Sequence, residues 1–233
     1  MSKYLFWGEY VQKEIDRIFE KASQTGEEGF IVAAARGDMQ TISTLLLTGI
    51  DANCHDSEAL LWAAFNGHES VVSHLLDAGA DARSNNSTAL TWAAVRGHIR
   101  IAQKLIDAGG DVNADHGSQL IDAAMKGRND IIELLLSNGA DVRVQTGAPL
   151  AAAAYQGHSS TVRLLLDRGA VVSDDEDMAM SLAAAHGHWD VLRILLSGDA
   201  NPTTGPAYSR PPRRASASHG EDAPGGRRFS KRR

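Results

Sequence analysis

Apolar and polar positions follow a helical rhythm that repeats along most of the chain. In one representative stretch, Leu60, Ala63, Ala64 and Gly67 are spaced i, i+3, i+4 and i+7. Residues at this spacing share one face of an α-helix. The alanines on this face are small, which lets neighbouring helices approach closely. The pattern predicts a first helix over residues 59–66.

A second helical pattern follows within the same stretch. Apolar side chains occupy Val71, Val72, Leu75 and Leu76, and polar residues lie between them. Gly79 then supplies the left-handed residue that commonly ends a helix. The sequence therefore predicts a second helix over 69–77.

Polar turn residues follow the second helix. They end in Ser87 and Thr88, either of which we expect to cap the next helix. The stretch is thus one helix–turn–helix unit.

This unit recurs six times with a period of 30 residues, and its glycine marks the register. The equivalent glycines are Gly37, Gly67, Gly97, Gly127, Gly157 and Gly187. The predicted first, or inner, helices cover 29–36, 59–66, 89–96, 119–126, 149–156 and 179–186. The predicted second, or outer, helices cover 39–47, 69–77, 99–107, 129–137, 159–167 and 189–197. A single unit cannot bury its apolar faces alone, so the units must stack into a solenoid.

Sequence fragments in every unit resemble the ankyrin repeat. They are typified by Ala-Phe-Asn-Gly-His at 64–68 and Leu-Leu-Asp-Ala-Gly-Ala-Asp at 75–81. The resemblance implies an all-α solenoid of six repeats over 28–201, with a concave face along the inner helices. It also implies that the Gly-His pair braces the turn between the two helices.

The chain departs from the family pattern in two places. The usual period is about 33 residues, so each unit lacks three residues where the family carries its hairpin finger. The family's Thr-Pro-Leu-His motif is also eroded, for example to Thr-Ala-Leu-Thr at 88–91, and its usual Thr–His bracing is not expected.

The segments on either side of the array have a different character. The spacing of apolar and polar residues over 9–24 predicts an amphipathic helix. Residues 1–27, which contain it, are interpreted as a cap for the array. A partner-binding helix is the alternative. The last segment, 202–233, carries five of the six prolines and a net charge of +6. Because the whole chain carries −6, the preceding 201 residues carry −12. Such a segment lacks the apolar residues needed for a core and is predicted to be a disordered basic tail.

The tail contains two kinds of short linear signal. Two basic clusters resemble a bipartite nuclear-import signal, and their residues are Arg213, Arg214, Arg227, Arg228, Lys231, Arg232 and Arg233. Ser216 and Ser230 each follow an Arg-Arg pair at the spacing that basophilic kinases favour. A solvated linker, or an arm drawn to the acidic body, is the alternative interpretation.

Residues suited to catalysis or metal binding do not form a convincing site. Cys54 and His55 are adjacent, but they lie in a turn without a third orienting group. Four histidines occupy equivalent positions in different repeats, where stacked helices lie about 8–10 Å apart, and zinc needs ligands that converge on one point. They are His68, His98, His158 and His188. We expect no enzyme activity, cofactor, metal or small-molecule substrate. The single cysteine and the absence of a long apolar run suggest a soluble protein of a reducing compartment without a membrane partner.

Large apolar residues on the inner helices form the candidate binding surface. Rotation by 100° per residue points them away from the outer helices, toward the concave face that the resemblance implies. The partner-binding candidates are Trp62, Phe65, Asn66, Trp92, Val95, Arg96, Met125, Lys126, Tyr155 and Gln156, with Asp122 beside them. We expect Phe65, Trp92 and Tyr155 to be substantially exposed. The alternative is that the tryptophans fill the space between adjacent inner helices.

The sequence therefore indicates non-catalytic protein–protein recognition by an ankyrin-like scaffold in the cytoplasm or nucleus. One alternative is a nuclear or nucleic-acid-associated regulator whose tail binds an import receptor or phosphate. The acidic body argues against direct DNA binding by the array. Another alternative is a ubiquitin-ligase adaptor, although no recognisable degradation box follows the repeats.

Overall fold

A computed structural model describes residues 26–172 and 178–197. The helix predicted over 9–24 and the basic tail predicted over 202–233 lie outside these residues. Twelve helices and no strand are present in the described ranges. The inner helices are α1 (Gly26–Arg36), α3 (Cys54–Asn66), α5 (Ser84–Arg96), α7 (Ala114–Met125), α9 (Val144–Gln156) and α11 (Met178–Ala185). The outer helices are α2 (Met39–Leu47), α4 (Glu69–Asp77), α6 (Ile99–Asp107), α8 (Asn129–Ser137), α10 (Ser159–Asp167) and α12 (Trp189–Ser197).

The helices form two stacked layers. Each inner helix packs against its own outer helix and against the inner helices of the neighbouring repeats. The outer helices form a second row in the same order. This arrangement confirms the predicted all-α solenoid, and the outer helices have the bounds that the sequence predicted.

The core runs continuously through the stack. Leu75, Leu105 and Leu135 are fully buried, as the register predicted. The alanine pair of each inner helix, such as Ala63 and Ala64, is also fully buried in repeats two to five. Because alanine adds little width, adjacent inner helices pack closely along the whole array.

Glycines end most of the inner helices with a left-handed residue. Gly67 has φ +81°, and its N–H bonds to the carbonyl of Ala64 at 3.3 Å. The N–H of His68 bonds to the carbonyl of Ala63 at 2.9 Å. This pair of bonds is a Schellman motif, which satisfies carbonyls at the helix end and turns the chain toward the outer helix.

A tight left-handed turn stands where longer repeats carry a hairpin finger. In repeat two, His55, Asp56 and Ser57 all have φ between 50° and 59°, before the right-handed helix begins. Repeats three, four and five contain the same turn. Helix caps at Ser87 or Thr88 were predicted from composition, and for Ser87 this is wrong. Ser87 has φ +56°, and its hydroxyl accepts a 3.0 Å bond from the N–H of Asp111 in the next repeat.

Side chains before these turns bridge adjacent repeats. Asn53 donates from Nδ2 to the carbonyl of Gly79 at 2.9 Å and accepts a bond from the N–H of Asp81 at 2.7 Å. Arg83 donates from Nε to the carbonyl of Gly109 at 2.7 Å. Asn113 and Arg143 repeat these two arrangements further along the array. The turns therefore fix the spacing of the repeats at the N-terminal ends of the inner helices, opposite the Gly-His turns. Within the described ranges, no helix combines the length and apolarity that crossing a membrane requires.

Candidate functional site: the concave face

The concave face is the side of the inner helices that points away from the outer helices. Its most organised region spans repeats two and three, where three aromatic rings meet. The Phe65 ring lies 5.7 Å from the Trp62 ring and 5.0 Å from the Trp92 ring, measured between centroids. Both pairs are edge-to-face, with interplanar angles of 79° and 76°. This is a favoured geometry for aromatic pairs. We call these three side chains the aromatic cluster.

A cation lies over the Phe65 ring of the aromatic cluster. The guanidinium carbon of Arg96 lies 4.3 Å from the centroid of the Phe65 ring, within cation–π range. Arg96 also donates from Nε to the main-chain carbonyl of Phe65 at 3.3 Å. Two contacts to one residue of the preceding repeat hold an otherwise flexible side chain, which is itself exposed.

The exposure predicted for Phe65 and Trp92 is wrong. Only 2% of Phe65 and 8% of Trp92 is accessible to solvent, and the two residues form a small buried cluster against Leu61, Trp62 and Val95. Helix rotation correctly places Phe65 away from its own outer helix. It does not show that rings from the neighbouring repeat, together with Arg96, cover that side. The tryptophan of repeat three thus fills space between inner helices.

The remaining predicted residues lie at the surface to different degrees. The exposed ones are Arg96, Lys126 and Gln156, and the half-buried ones are Trp62, Asn66, Val95, Met125 and Tyr155. Tyr155 is therefore only partly exposed. Its ring packs edge-to-face against His186 of the next repeat, with centroids 4.5 Å apart.

Positive charge is concentrated along this face. Arg36, Arg96 and Lys126 occupy the same position in three repeats and are all exposed. We call these three residues the cationic stripe. Residues 1–201, to which they belong, carry a net charge of −12. The partly accessible Trp62 and Met125 lie beside the stripe. The face thus combines partly accessible apolar side chains with three exposed cations, and Trp62 donates from Nε1 to the carboxylate of Glu58 at 3.2 Å.

Polar side chains fasten the edge of this face from one repeat to the next. His68 bonds through Nε2 to the carbonyl of Ala35, 33 residues earlier, at 3.0 Å. Asn66 donates from Nδ2 to the same carbonyl at 2.9 Å. Equivalent bonds join His98 to Phe65, Arg128 to Val95, His158 to Met125 and His188 to Tyr155. The sequence singled out these histidines but did not show that they connect neighbouring repeats.

Asp122 takes the concave-face position that tryptophan holds in repeats two and three. It is 95% buried, although its position beside the exposed candidates suggested otherwise. One turn earlier on the same helix, Gln119 is fully buried and donates from Nε2 to the carbonyl of Asp111 at 3.3 Å. Repeat four therefore continues the face with buried polar groups rather than aromatic rings.

The cysteine–histidine neighbours do not form a reactive pair. Burial raises the pKa of the Cys54 thiol to about 11, and the nearby carboxylates of Glu27, Asp51 and Glu58 add to this effect. The thiol is therefore protonated at neutral pH and is a weak nucleophile. His55 instead contacts Glu27, with Nε2 and Oε2 3.0 Å apart. Over residues 26–172 and 178–197, no three His, Cys, Asp or Glu side chains are grouped to hold a metal ion.

Comparison with known proteins agrees with this geometry. The family model described as "Ankyrin repeats (3 copies)" matches residues 30–116 and again residues 120–205. The crystal structure of the human ASB11 ankyrin repeat domain superposes with a TM-score of 0.66, at 25% identity, covering 74% of this chain and 84% of that one. An ankyrin repeat domain from Acinetobacter baumannii superposes with a TM-score of 0.64, at 26% identity, covering 74% and 98%. No curated protein sequence matches the chain.

Proposed function

The chain belongs to the ankyrin repeat family, whose members are generally protein-interaction modules, and we propose that it binds a protein partner on its concave face without catalysis. The observation that carries this proposal is the cationic, partly apolar stripe centred on Arg96 and the aromatic cluster. Aromatic residues and arginine are the types most enriched at the energetic centres of protein interfaces. The fold supplies a long surface on which such groups can act together.

The rigidity of the face supports tight recognition. Arg96 is held by two contacts to Phe65, and Asn66 is held by a hydrogen bond to Ala35. Side chains that are already ordered lose little conformational entropy on binding. Phe65 and Trp92 contribute from beneath the surface rather than by contacting the partner directly: Phe65 supports the exposed Arg96, and Trp92 packs against Phe65.

The chemistry of the face favours an acidic partner segment with apolar anchors. Arg36, Arg96 and Lys126 provide positive charges at the same position in repeats one, three and four. Trp62 and Met125 provide partly accessible apolar surface beside them. Acidic side chains on the partner would pair with the stripe, while apolar side chains would pack against the tryptophan and methionine. Charge complementarity would also speed association at low ionic strength.

A charge-reversal experiment tests this proposal. The full chain is used as bait in a lysate of the cells that express it, and captured proteins are quantified by mass spectrometry. We expect the double variant Arg96→Glu/Lys126→Glu to lose the partner that the wild-type chain captures. Both side chains are exposed, so the variant should keep its helical circular-dichroism spectrum.

The matched control reverses one exposed cation and adds another acidic group away from the concave face. Arg163 is on outer helix α10, and Ser160 is exposed on the same helix. The double variant Arg163→Glu/Ser160→Glu therefore adds negative charge to the outer layer. Capture by this control at the wild-type level supports the concave face. Equal capture by all three proteins would place the partner elsewhere.

The sequence of the tail supports a second role, in nuclear import. The two basic clusters at 213–214 and 227–233 flank a spacer, and Ser216 and Ser230 lie within or beside them. Each phosphate would add about −1.5 to −2 charges at neutral pH. A fusion to a tag too large for passive diffusion should accumulate in the nucleus. Changing Arg213, Arg214, Arg227 and Arg228 to Ala, or both serines to Asp, should reduce that accumulation. Identical distributions would contradict an import role.

A further inference from the structure

The last repeat presents an open face where every earlier repeat packs against a successor. Leu196 is 71% exposed, whereas the equivalent Leu166 is buried and Leu76 and Leu136 are half-buried. Ala184 is exposed, although its counterpart is fully buried in each of the five earlier repeats. The surface that would receive a seventh repeat is therefore accessible between α11 and α12.

Interactions in the earlier repeats show which other residues belong to this open face. Glu69 in repeat two pairs with Arg100 and Lys104 of repeat three, at 3.5 and 3.8 Å. Asn129 in repeat four accepts a 2.7 Å bond from Thr161 of repeat five. Glu69 and Asn129 are therefore directed toward the following repeat. In repeat six, this position is held by Trp189.

The same comparison places a charge on the open face. Glu133 in repeat four pairs with Arg168 of repeat five at 3.4 Å, and its counterpart in repeat six is Arg193. On helix α12, Trp189, Arg193 and Leu196 are spaced i, i+4 and i+7, so they share one stripe. Asp190 lies at the rim of this stripe.

The open face is unusually apolar for the end of a repeat array. Terminal repeats normally carry a polar outer surface that keeps the array soluble. Here Trp189 is 72% exposed and Leu196 is 71% exposed, and both are among the large exposed apolar residues of the described chain. Exposed apolar surface of this kind marks an interaction site.

We infer that this open face binds the same face of a second copy of the chain, giving a two-fold symmetric dimer. In such an interface, the same patch contacts itself, so its charges must be self-complementary. Asp190 and Arg193 meet this condition, since they carry opposite charges and both side chains are at least three-quarters exposed. Within one copy they pair with each other at 3.1 Å, so in the dimer each would exchange this partner for its counterpart across the axis. When two α12 helices pack antiparallel, Asp190 of each copy lies near Arg193 of the other. Trp189 and Leu196 then meet across the axis.

The residues that follow α12 are a poorer match for this surface. Residues 198–233 contain five prolines and no Leu, Ile, Val, Met or Trp. They cannot supply a helix pair resembling a seventh repeat. A second copy instead offers both the apolar surface and the opposite charge.

Analytical ultracentrifugation of the full chain tests the inference. We expect a reversible species of twice the 24.9 kDa chain mass, with no larger assemblies. The variant Trp189→Glu/Leu196→Glu should weaken the dimer about 30-fold or more, as loss of central interface residues does. Leu47→Glu is the control, because Leu47 is exposed on α2 at the other end of the array. This variant should dimerise like the wild type. Circular dichroism confirms that each variant remains folded.

A charge exchange tests the symmetry directly. Asp190→Arg alone should weaken the dimer several-fold, because it places two like charges opposite each other. Asp190→Arg/Arg193→Asp should restore it, since the exchanged charges are again complementary. A wild-type chain that remains monomeric at every concentration would overturn the inference. So would an open-ended series of oligomers, or unchanged dimerisation of the Trp189→Glu/Leu196→Glu variant.

Discussion

Arg128 donates a hydrogen bond from Nε to the main-chain carbonyl of Val95, 33 residues earlier, at 3.2 Å. Histidine forms the equivalent bond at the other four junctions between repeats. Arginine and histidine both place a ring or planar group over the glycine of the preceding repeat. At the junction between repeats three and four, a guanidinium therefore makes the hydrogen bond that an imidazole makes at the other four junctions.

The junction bond should be replaceable by the residue used elsewhere in the array. Arg128→Ala removes the donor and should lower the free energy of unfolding by about 1 kcal/mol. Arg128→His should recover most of that loss, because histidine can reach the same carbonyl. Urea denaturation measures both values. Equal destabilisation by the two substitutions would show that histidine does not replace arginine at this junction, and no loss in Arg128→Ala would show that the bond to Val95 contributes nothing.

Alanine substitutions at two glycines distinguish the free-energy cost of backbone strain from the cost of a steric clash with a neighbouring side chain. Gly67 and Gly79 have φ of +81° and +91°, so an alanine is strained at either position. A Cβ at Gly67 would lie 2.7 Å from the His98 ring, whereas a Cβ at Gly79 meets nothing within 4 Å. We expect Gly79→Ala to cost about 1 kcal/mol and Gly67→Ala at least about 2 kcal/mol. Similar losses in thermal or urea unfolding would contradict the close packing of His98.

The central leucine should carry a large share of the stability. Leu105 is fully buried on α6 and has repeats on both sides. Leu105→Ala should cost about 2–5 kcal/mol in unfolding free energy, since it removes apolar contacts and leaves a cavity. Leu47→Ala is the matched control, because 88% of Leu47 is exposed. That control should change stability by less than about 0.5 kcal/mol.

Acid should destabilise the array through His98. Burial lowers the pKa of His98 below its usual 6.5. The hydrogen bond to the carbonyl of Phe65 opposes this effect, and the positive charges of Arg96 and Arg128 add to it. The unfolded chain then binds a proton at higher pH than the folded chain does. Stability should therefore fall as the pH drops below about 6.5, until the folded histidine is also protonated. His98→Gln should show a smaller loss between about pH 7 and pH 5 in urea titrations. Parallel pH profiles for the two proteins would rule out this role.

The repeat register allowed the helices and the core to be predicted because the same constraint acts six times. Leu75, Leu105 and Leu135 occupy one position relative to the glycines, so a single packing solution serves all three. The outer helices followed from this register with their observed bounds. The left-handed turn at 55–57 was not predicted. Its sequence differs between repeats, and what recurs is a backbone bond: the N–H of Ser57 and of its counterparts donates to the carbonyl four residues earlier, that of Asn53 in repeat two.

The concave face was predicted only in part, since helix periodicity gives a direction and not an environment. It placed Phe65 and Arg96 on the correct side of their helices. Whether Phe65 is exposed depends on Trp62, Trp92 and Arg96, which reach it from the same repeat and the next. Contacts between repeats depend on stacking geometry, which one repeat does not encode alone. Arg96 stays accessible because its long side chain lies over the cluster rather than within it.

The most direct test of concave-face recognition is the binding affinity of a captured partner for three versions of the full chain. Isothermal titration calorimetry would compare the wild-type chain, Arg96→Glu/Lys126→Glu and the outer-layer control Arg163→Glu/Ser160→Glu. We expect the concave-face variant to weaken binding at least about 30-fold, while the control stays within a few-fold of wild type. Equal affinity for all three proteins, or selective loss in the outer-layer control, would contradict recognition on the concave face.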